Sequence, residues 1–306
     1  MVVFGAAALF LVRVARPSLG ALSALPWPPG WGDLAASAGF WLVSYTSLVL
    51  LWAASLPWWS TQLERLVAIR MFFVANLARY IPGGIWQFTG LAALAIERGV
   101  SPLAVTAAVL IQQLVLLGTG VLCALITAPA LLGPRAAALP TPVAVAAGVV
   151  GVGILAFAFP TILRHLKQIL ERVTGRAVPL PHAPARQFAG YVAGTTLGWL
   201  GYGASFWLFV RALLGNGAPG AVTCGSAFVA SYVAGIVAVF APGGLVVREA
   251  AIVAALSPHV GAERALVLAV ANRLWLTILE ILATLSVLVA SRARAGPPHD
   301  RRQEIG

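Results

Sequence analysis

The sequence has few charged residues for its length. Of its 306 residues only 9% are Asp, Glu, Lys or Arg, whereas 60% are hydrophobic, and the mean hydropathy is +0.92. A soluble globular protein is about one quarter charged. Because this chain lacks the polar side chains that would cover a water-exposed surface, the composition excludes a soluble protein and indicates one embedded in lipid.

Cysteine and histidine are also scarce. Cys123 and Cys224 lie in apolar stretches, where they behave as small hydrophobic residues and offer no disulfide framework. The four histidines are far apart and lack the paired spacing of zinc or haem ligands. We therefore expect no metal and no cofactor.

The charge that is present is mostly positive, with 20 Lys and Arg against 9 Asp and Glu. Lys167 is the only lysine, and the arginines fall between apolar blocks or after them. This pattern is typical of membrane-topology signals and not of a nucleic-acid-binding patch. We expect membrane lipids, and no nucleic acid, as partners.

Long apolar runs predict the membrane-crossing helices of an all-α polytopic protein. A span needs about 20 apolar residues, and such runs lie at about 1–16, 34–56, 102–128, 141–163, 188–213 and 263–291. The first run is short and is interrupted by Arg13. It is either a clipped first helix or not a span.

Two further apolar regions, about 66–97 and 222–256, are each broken by Pro-Gly-Gly. The breaks are Pro82-Gly83-Gly84 and Pro242-Gly243-Gly244. Proline ends a helix and paired glycines permit a sharp change of direction. The apolar piece after each break is about a dozen residues, too short to cross a membrane at about 1.5 Å per residue. We therefore expect two re-entrant hairpins with these tripeptides at their tips.

The two broken regions predict an internal repeat. A shift of 160 positions superposes the two breaks, and it places Tyr80 on Phe240 and Gln112-Gln113 on Asn272-Arg273. The division is a first membrane repeat at 1–163, a basic linker at 164–187, a second repeat at 188–291 and a basic tail at 292–306. Basic segments favour the cytoplasmic side, so the linker and the C-terminus are expected there. Three spans then separate the hairpins, which predicts inverted repeats whose tips approach from opposite faces.

Charged groups at membrane depth are candidates for function. Arg248 and Glu249 follow the second tip. They form a local pair, or Arg248 holds a lipid phosphate while Glu249 engages a cationic headgroup or carries a proton. On the last span Asn272, Arg273 and Glu280 follow one face, either as a structural ion pair or as a substrate path.

The first hairpin offers candidates of a more neutral kind. Arg79, Tyr80, Trp86 and Gln87 flank its tip. Arg79 either contacts substrate or extends to the inner surface, and Trp86 either contacts substrate or only packs. Gln112 and Gln113 are expected to hydrogen-bond between helices. No phosphate-binding loop and no nucleophile elbow occurs in the sequence, so no catalytic residue is proposed and an enzyme is not expected.

Two stretches carry a family resemblance: Arg79-Tyr80-Ile81-Pro82-Gly83-Gly84-Ile85-Trp86-Gln87 and Pro242-Gly243-Gly244-Leu245-Val246-Val247-Arg248-Glu249-Ala250-Ala251. They resemble the signature stretches of the lysylphosphatidylglycerol synthase transmembrane family, also called the flippase-like domain family, over about 34–291. The family often has glycine at the position of Val246, and a basic residue soon after Trp-Gln, where this chain has Phe88-Thr89-Gly90-Leu91.

The resemblance implies a membrane domain that moves aminoacylated phosphatidylglycerol, or another anionic lipid, between leaflets. In two-part members a soluble domain makes that lipid, and no such domain is expected here. We expect a lipid translocase that is passive or driven by protons. Two alternatives stay open: a small-solute transporter, or a polyprenyl-phosphate carrier or membrane subunit working with a separate lipid synthase or glycosyltransferase.

Overall fold

The computed structural model describes residues 29–78, 86–132, 183–238 and 246–294, together with isolated positions between 164 and 175. Of residues 291–294 it gives the backbone alone. The described residues form α-helices and contain no strand, which confirms the all-α class. The helices considered below are α1 (Trp31–Ser55), α2 (Arg65–Leu77), α3 (Trp86–Glu97), α4 (Pro102–Leu132), α5 (Ala185–Leu214), α6 (Ala221–Val237), α7 (Val247–Val260) and α8 (Ala262–Arg294).

Four of these helices, α1, α4, α5 and α8, are long and apolar enough to cross a membrane. They coincide with the predicted spans at 34–56, 102–128, 188–213 and 263–291. A 3-10 helix at Leu56–Trp59 continues α1, and another at Gly215–Gly217 follows α5. The predicted spans at 1–16 and 141–163, and most of the linker and the tail, lie outside the described residues.

The other four helices are short and form two neighbouring pairs. Helices α2 and α3 have 13 and 12 residues, and α6 and α7 have 17 and 14. The two members of each pair pack against each other. Both predicted broken regions are therefore a short helix on either side of the Pro-Gly-Gly tripeptide. The tripeptides themselves, within 79–85 and 239–245, lie outside the described residues.

Helices α1 and α5 make the most extensive helix–helix contact and run antiparallel. At one end the backbone N–H of Gly30 donates to the carbonyl oxygen of Ala212 over 2.8 Å. Asp33 and Arg211 form an ion pair nearby, with the Arg211 Nε to Asp33 Oδ2 distance at 2.9 Å. At the other end Trp58 donates from Nε1 to Gln187. These paired polar groups fix the register of α1 against α5, and they were not among the sequence-based predictions.

The packing of α1–α4 is matched by the packing of α5–α8. Helix α2 packs on α3 and α6 packs on α7; α3 packs on α4 and α7 packs on α8. The two sets of helices also contact each other, because α2 packs on α8 and α6 packs on α4. The described helices of the two sets thus share the same order of neighbour contacts.

The main apolar core lies where α5 meets α6, and it supports the second short-helix pair. The rings of Trp199, Tyr202, Phe206 and Phe228 are buried there in mutual contact. The crossing is close because a Cβ on Gly203 would lie 3.1 Å from the Cα of a glycine on α6. This close, rigid crossing holds α6 beside the first turn of α7.

Candidate functional site

The candidate site is built on the first turn of α7, directly after the second Pro-Gly-Gly tripeptide. Val246 precedes the helix with φ 69°, a conformation that favours glycine. Arg248 and Glu249 come next, within the first turn. A carboxylate in the first turn is favoured by the helix dipole, which is the local reason for this placement.

Glu249 is joined to Arg273 on α8. The Arg273 Nη1 to Glu249 Oε1 distance is 3.9 Å, and the two side chains are 10% and 16% exposed respectively. The second carboxylate oxygen, Oε2, is buried and has no hydrogen-bond partner among the described residues. A buried acceptor without a donor costs about 1–3 kcal/mol. The pair is therefore both inside the bundle and incompletely satisfied on the carboxylate side.

Arg248 lies against two aromatic rings of α6. Its guanidinium carbon is 4.4 Å from the centre of the Tyr232 ring and 5.7 Å from that of Phe228. Both distances are within the range of a cation–π interaction. Tyr232 in turn packs edge-on against Trp199, whose Nε1 donates to Thr119 on α4 over 3.1 Å. A chain of contacts thus holds the Arg248 side chain against rigid helices.

A row of polar side chains continues from Arg273 along α8. Asn272, Thr277, Glu280 and Thr284 are each 4% exposed or less. The hydroxyls of Thr277 and Thr284 donate to the carbonyl oxygens one turn earlier, those of Arg273 and Glu280. The row faces the interior of the bundle, as its spacing predicts. It places the side chains of Arg273 and Glu280 on one buried face of α8.

The candidates of the first hairpin are only partly described. Trp86 is 44% exposed at the start of α3, which packs on α2 and α4. Gln87 lines a small cavity of about 20 Å³ with Asn76 and Gln113. The remaining candidates, Arg79, Tyr80, Pro82, Gly83 and Gly84 with Pro242, Gly243 and Gly244, lie outside the described residues.

The structure adds polar contacts between helices to those candidates. Gln112 donates from Nε2 to the carbonyl oxygen of Leu48 over 2.7 Å, so its predicted interhelical hydrogen bond is confirmed. Asn76 donates to the hydroxyl of Tyr45 over 2.6 Å.

Sequence reasoning missed Tyr232 and its neighbour Phe228 as partners of Arg248. Their spacing of four residues, which puts both rings on one face of α6, was the available signal.

Two apolar grooves open on the outside of the bundle. One, of about 830 Å³, lies between α1 and α5 and has Arg65 among its lining residues. The other, of about 320 Å³, lies between α1, α2 and α8. Among the described residues no group of three or more His, Cys, Asp or Glu side chains is placed to hold a metal ion.

A comparison with known protein families identifies the family of this chain. The family model described as the lysylphosphatidylglycerol synthase TM region matches residues 1–283. The chain belongs to the lysylphosphatidylglycerol synthase transmembrane family. No curated protein matches it. Family membership and the four apolar helices together make this chain a helical membrane protein.

The backbone conformation of Val246 is one that favours glycine. A left-handed φ costs an ordinary L-residue roughly 1–2 kcal/mol and glycine nothing. At φ 69° Val246 adopts the backbone that glycine would adopt here without strain.

Proposed function

We propose that this protein is a lipid translocase that moves a phospholipid, either aminoacylated phosphatidylglycerol or an anionic lipid, between leaflets. The observation that carries the proposal is the buried pair of Glu249 and Arg273, with Arg248 beside it, inside a bundle of membrane helices. Charged groups at membrane depth cost several kcal/mol on some scales, so they mark sites that handle polar substrates.

The charges of the site suit a headgroup of mixed charge. The two arginines are donors for a phosphate, and the first turn of α7 adds backbone N–H groups that favour an anion. Glu249 offers its Oε2 oxygen, which has no hydrogen-bond partner among the described residues, to an ammonium group. An aminoacylated phosphatidylglycerol carries both groups. The family description, which names lysylphosphatidylglycerol, supports this choice.

The fold that we propose for this function is an inverted repeat. Corresponding helices of inverted repeats run in opposite directions. Helices α1 and α5 are antiparallel, because Gly30 bonds to Ala212 at one end and Trp58 bonds to Gln187 at the other. The exchange of packing partners between α1–α4 and α5–α8 also supports a two-fold relationship. Such repeats place the substrate site near the middle of the bilayer, between the two halves.

Each short-helix pair is proposed to be a re-entrant hairpin, one from each face of the membrane, with the C-terminus in the cytoplasm. A helix of 13 residues is about 20 Å long, less than the roughly 30 Å of a hydrocarbon core. Each pair therefore suits a hairpin that enters and returns. Irregular backbone at the tips is tolerated at depth if it is buried in protein or lines a cavity.

The test is leaflet exchange of labelled lipids in proteoliposomes. Anionic, aminoacylated and polyprenyl-phosphate lipids are compared, and we expect exchange of an anionic or aminoacylated lipid by the native protein. Glu249→Gln and Arg273→Gln should lower that rate strongly. Arg264→Gln is the matched control, because Arg264 is an exposed arginine on the same helix and should leave the rate unchanged.

Two results would favour other functions. If no lipid moves and a synthase or glycosyltransferase copurifies with the folded protein, the chain is the membrane subunit of a lipid-modifying enzyme. If a small solute moves instead, with a flux that depends on an ion gradient, the chain is a solute transporter. Equal exchange rates for native protein, Glu249→Gln and Arg273→Gln would contradict the proposed headgroup site.

A further inference from the structure

One side of the bundle is closed by a tryptophan. Where α4, α5 and α6 meet, the indole of Trp199 lies on Gly120 of α4. A Cβ added to Gly120 would come within 2.8 Å of Trp199 Cζ2 and 3.0 Å of Val233 Cγ2. Trp199 is 1% exposed, and its Nε1 donates to the carbonyl oxygen of Leu116 and to the hydroxyl of Thr119, both on α4. The three helices are therefore sealed together at this level.

The corresponding place in the other half lacks that tryptophan. The shift of 160 positions takes Trp199 to Gly39 on α1, Val233 to Phe73 on α2 and Gly120 to Glu280 on α8. A Cβ built on Gly39 meets no atom within 4 Å. The bulky ring of one half is replaced by a hydrogen atom in the other, where Gly39 is exposed at the edge of an open groove.

That open groove is the one of about 320 Å³ between α1, α2 and α8. Its volume is within the range of roughly 300–1,000 Å³ that is usual for ligand pockets. It is lined mostly by apolar residues, among them Gly39, Phe73, Leu279, Leu282, Ala283 and Val287. The groove offers no charge to a ligand and suits a hydrocarbon chain.

The groove runs beside the buried polar row of α8. Leu279, Leu282 and Ala283 line the groove, whereas Thr277 and Glu280 lie on the adjoining face of the same helix. At 100° per residue the centres of these two faces are roughly 130° apart, a little more than a third of a turn, and Glu280 and Ala283 lie at their adjoining edges. An apolar channel next to a buried charged row complements an amphiphile, with its chain in the groove and its headgroup on the row.

We propose that the groove between α1, α2 and α8 receives an acyl chain of the lipid that the protein moves, and that Trp199 closes the equivalent place on the opposite side. The inference rests on the proposed lipid translocation and adds the route of the chain. Access for the chain is one-sided in this state, because one half of the pseudo-symmetric bundle is open at this level and the other is sealed.

The first test measures occupancy of the groove directly. Purified protein in vesicles is irradiated with phosphatidylglycerol that carries a diazirine in one acyl chain, and crosslinked peptides are mapped by mass spectrometry. We expect crosslinks on α1 around Gly39 and on α8 between Leu279 and Val287. Gly39→Trp should lower their yield at least about fivefold, because the indole takes up the free space.

The matched control is Gly190→Trp. Gly190 is an exposed helical glycine on α5 that also meets no atom within 4 Å of a built Cβ, and it does not line the groove. Crosslinking should be the same as in the native protein. Equal crosslinking in Gly39→Trp and Gly190→Trp would overturn the inference. So would disulfide formation between two copies of Gly39→Cys at high yield, since a second copy would then cover the groove.

The second test joins occupancy to transport. Leaflet exchange should fall at least about fivefold in Gly39→Trp and stay unchanged in Gly190→Trp. If the native protein exchanges lipid and Gly39→Trp is equally fast, the groove holds only annular lipid and the inference is wrong while the proposed function stands. If the native protein moves no lipid, the proposed function fails. Groove crosslinks that Gly39→Trp abolishes would then still support a lipid-chain site.

Discussion

Arg273 Nη1 lies 3.9 Å from Glu249 Oε1, and this contact joins the first turn of α7 to the first half of α8. Both side chains are largely buried, and the helices around them pack through apolar residues. The pair therefore connects the helix after the second Pro-Gly-Gly tripeptide to a long spanning helix. A displacement of α7 relative to α8 would change the distance between these two charges.

Removing both members of the pair should destabilise the protein by less than the sum of the two single removals. We expect Glu249→Gln and Arg273→Gln each to cost about 2–4 kcal/mol, since a buried charge is left without its counter-charge, while the double substitution costs less than the sum. Thermal unfolding in detergent measures this. Strictly additive effects would show that the two side chains do not interact.

The ring of Tyr232 should be needed to position Arg248. Tyr232→Leu removes the cation–π contact at 4.4 Å and is expected to lower stability by about 0.5–2 kcal/mol and to slow lipid exchange. Tyr232→Phe keeps the ring and serves as the control, with near-native exchange. If Tyr232→Phe is as slow as Tyr232→Leu, the hydroxyl and not the ring is the important group.

A methyl group on Gly120 should disturb the sealed side of the bundle. Gly120→Ala places a Cβ 2.8 Å from Trp199 Cζ2, and we expect a loss of about 1–3 kcal/mol. Gly190→Ala, where the same methyl meets open space, should be neutral or slightly stabilising. Both are measured by unfolding in detergent. Native-like stability of Gly120→Ala would mean that the indole moves aside at no cost.

Val246→Gly should stabilise the protein. The substitution removes a side chain from a residue at φ 69° and is expected to add about 1 kcal/mol, after allowance for the greater freedom of glycine in the unfolded chain. Val247→Gly, one residue later and inside α7, is the control and should destabilise. Equal losses in both variants would contradict the strain at Val246.

The inverted repeat predicts the sidedness of two loops. Single cysteines at Gln62 and Asn216, both exposed, in a background without Cys123 and Cys224, should react with a membrane-impermeant maleimide from opposite faces of the membrane. Labelling of intact and permeabilised cells distinguishes the faces. Reaction of both cysteines from one face would exclude inversion.

The sequence by itself determined the class of the protein, the four described spans and the two pairs of short helices that flank the Pro-Gly-Gly tripeptides. Hydrophobic run length and the backbone chemistry of proline and glycine are local properties, so they can be found without a structure. It also singled out Arg248, Glu249 and the polar face of α8, because charge inside an apolar run is visible in one dimension.

Only the tertiary structure decided which of these groups meet. It paired Glu249 with Arg273, 24 positions away, set Arg248 on Tyr232, and closed one side of the bundle with Trp199 while leaving the other open at Gly39. These contacts depend on how separate helices cross, which is set by the summed packing of many side chains and not by any single segment.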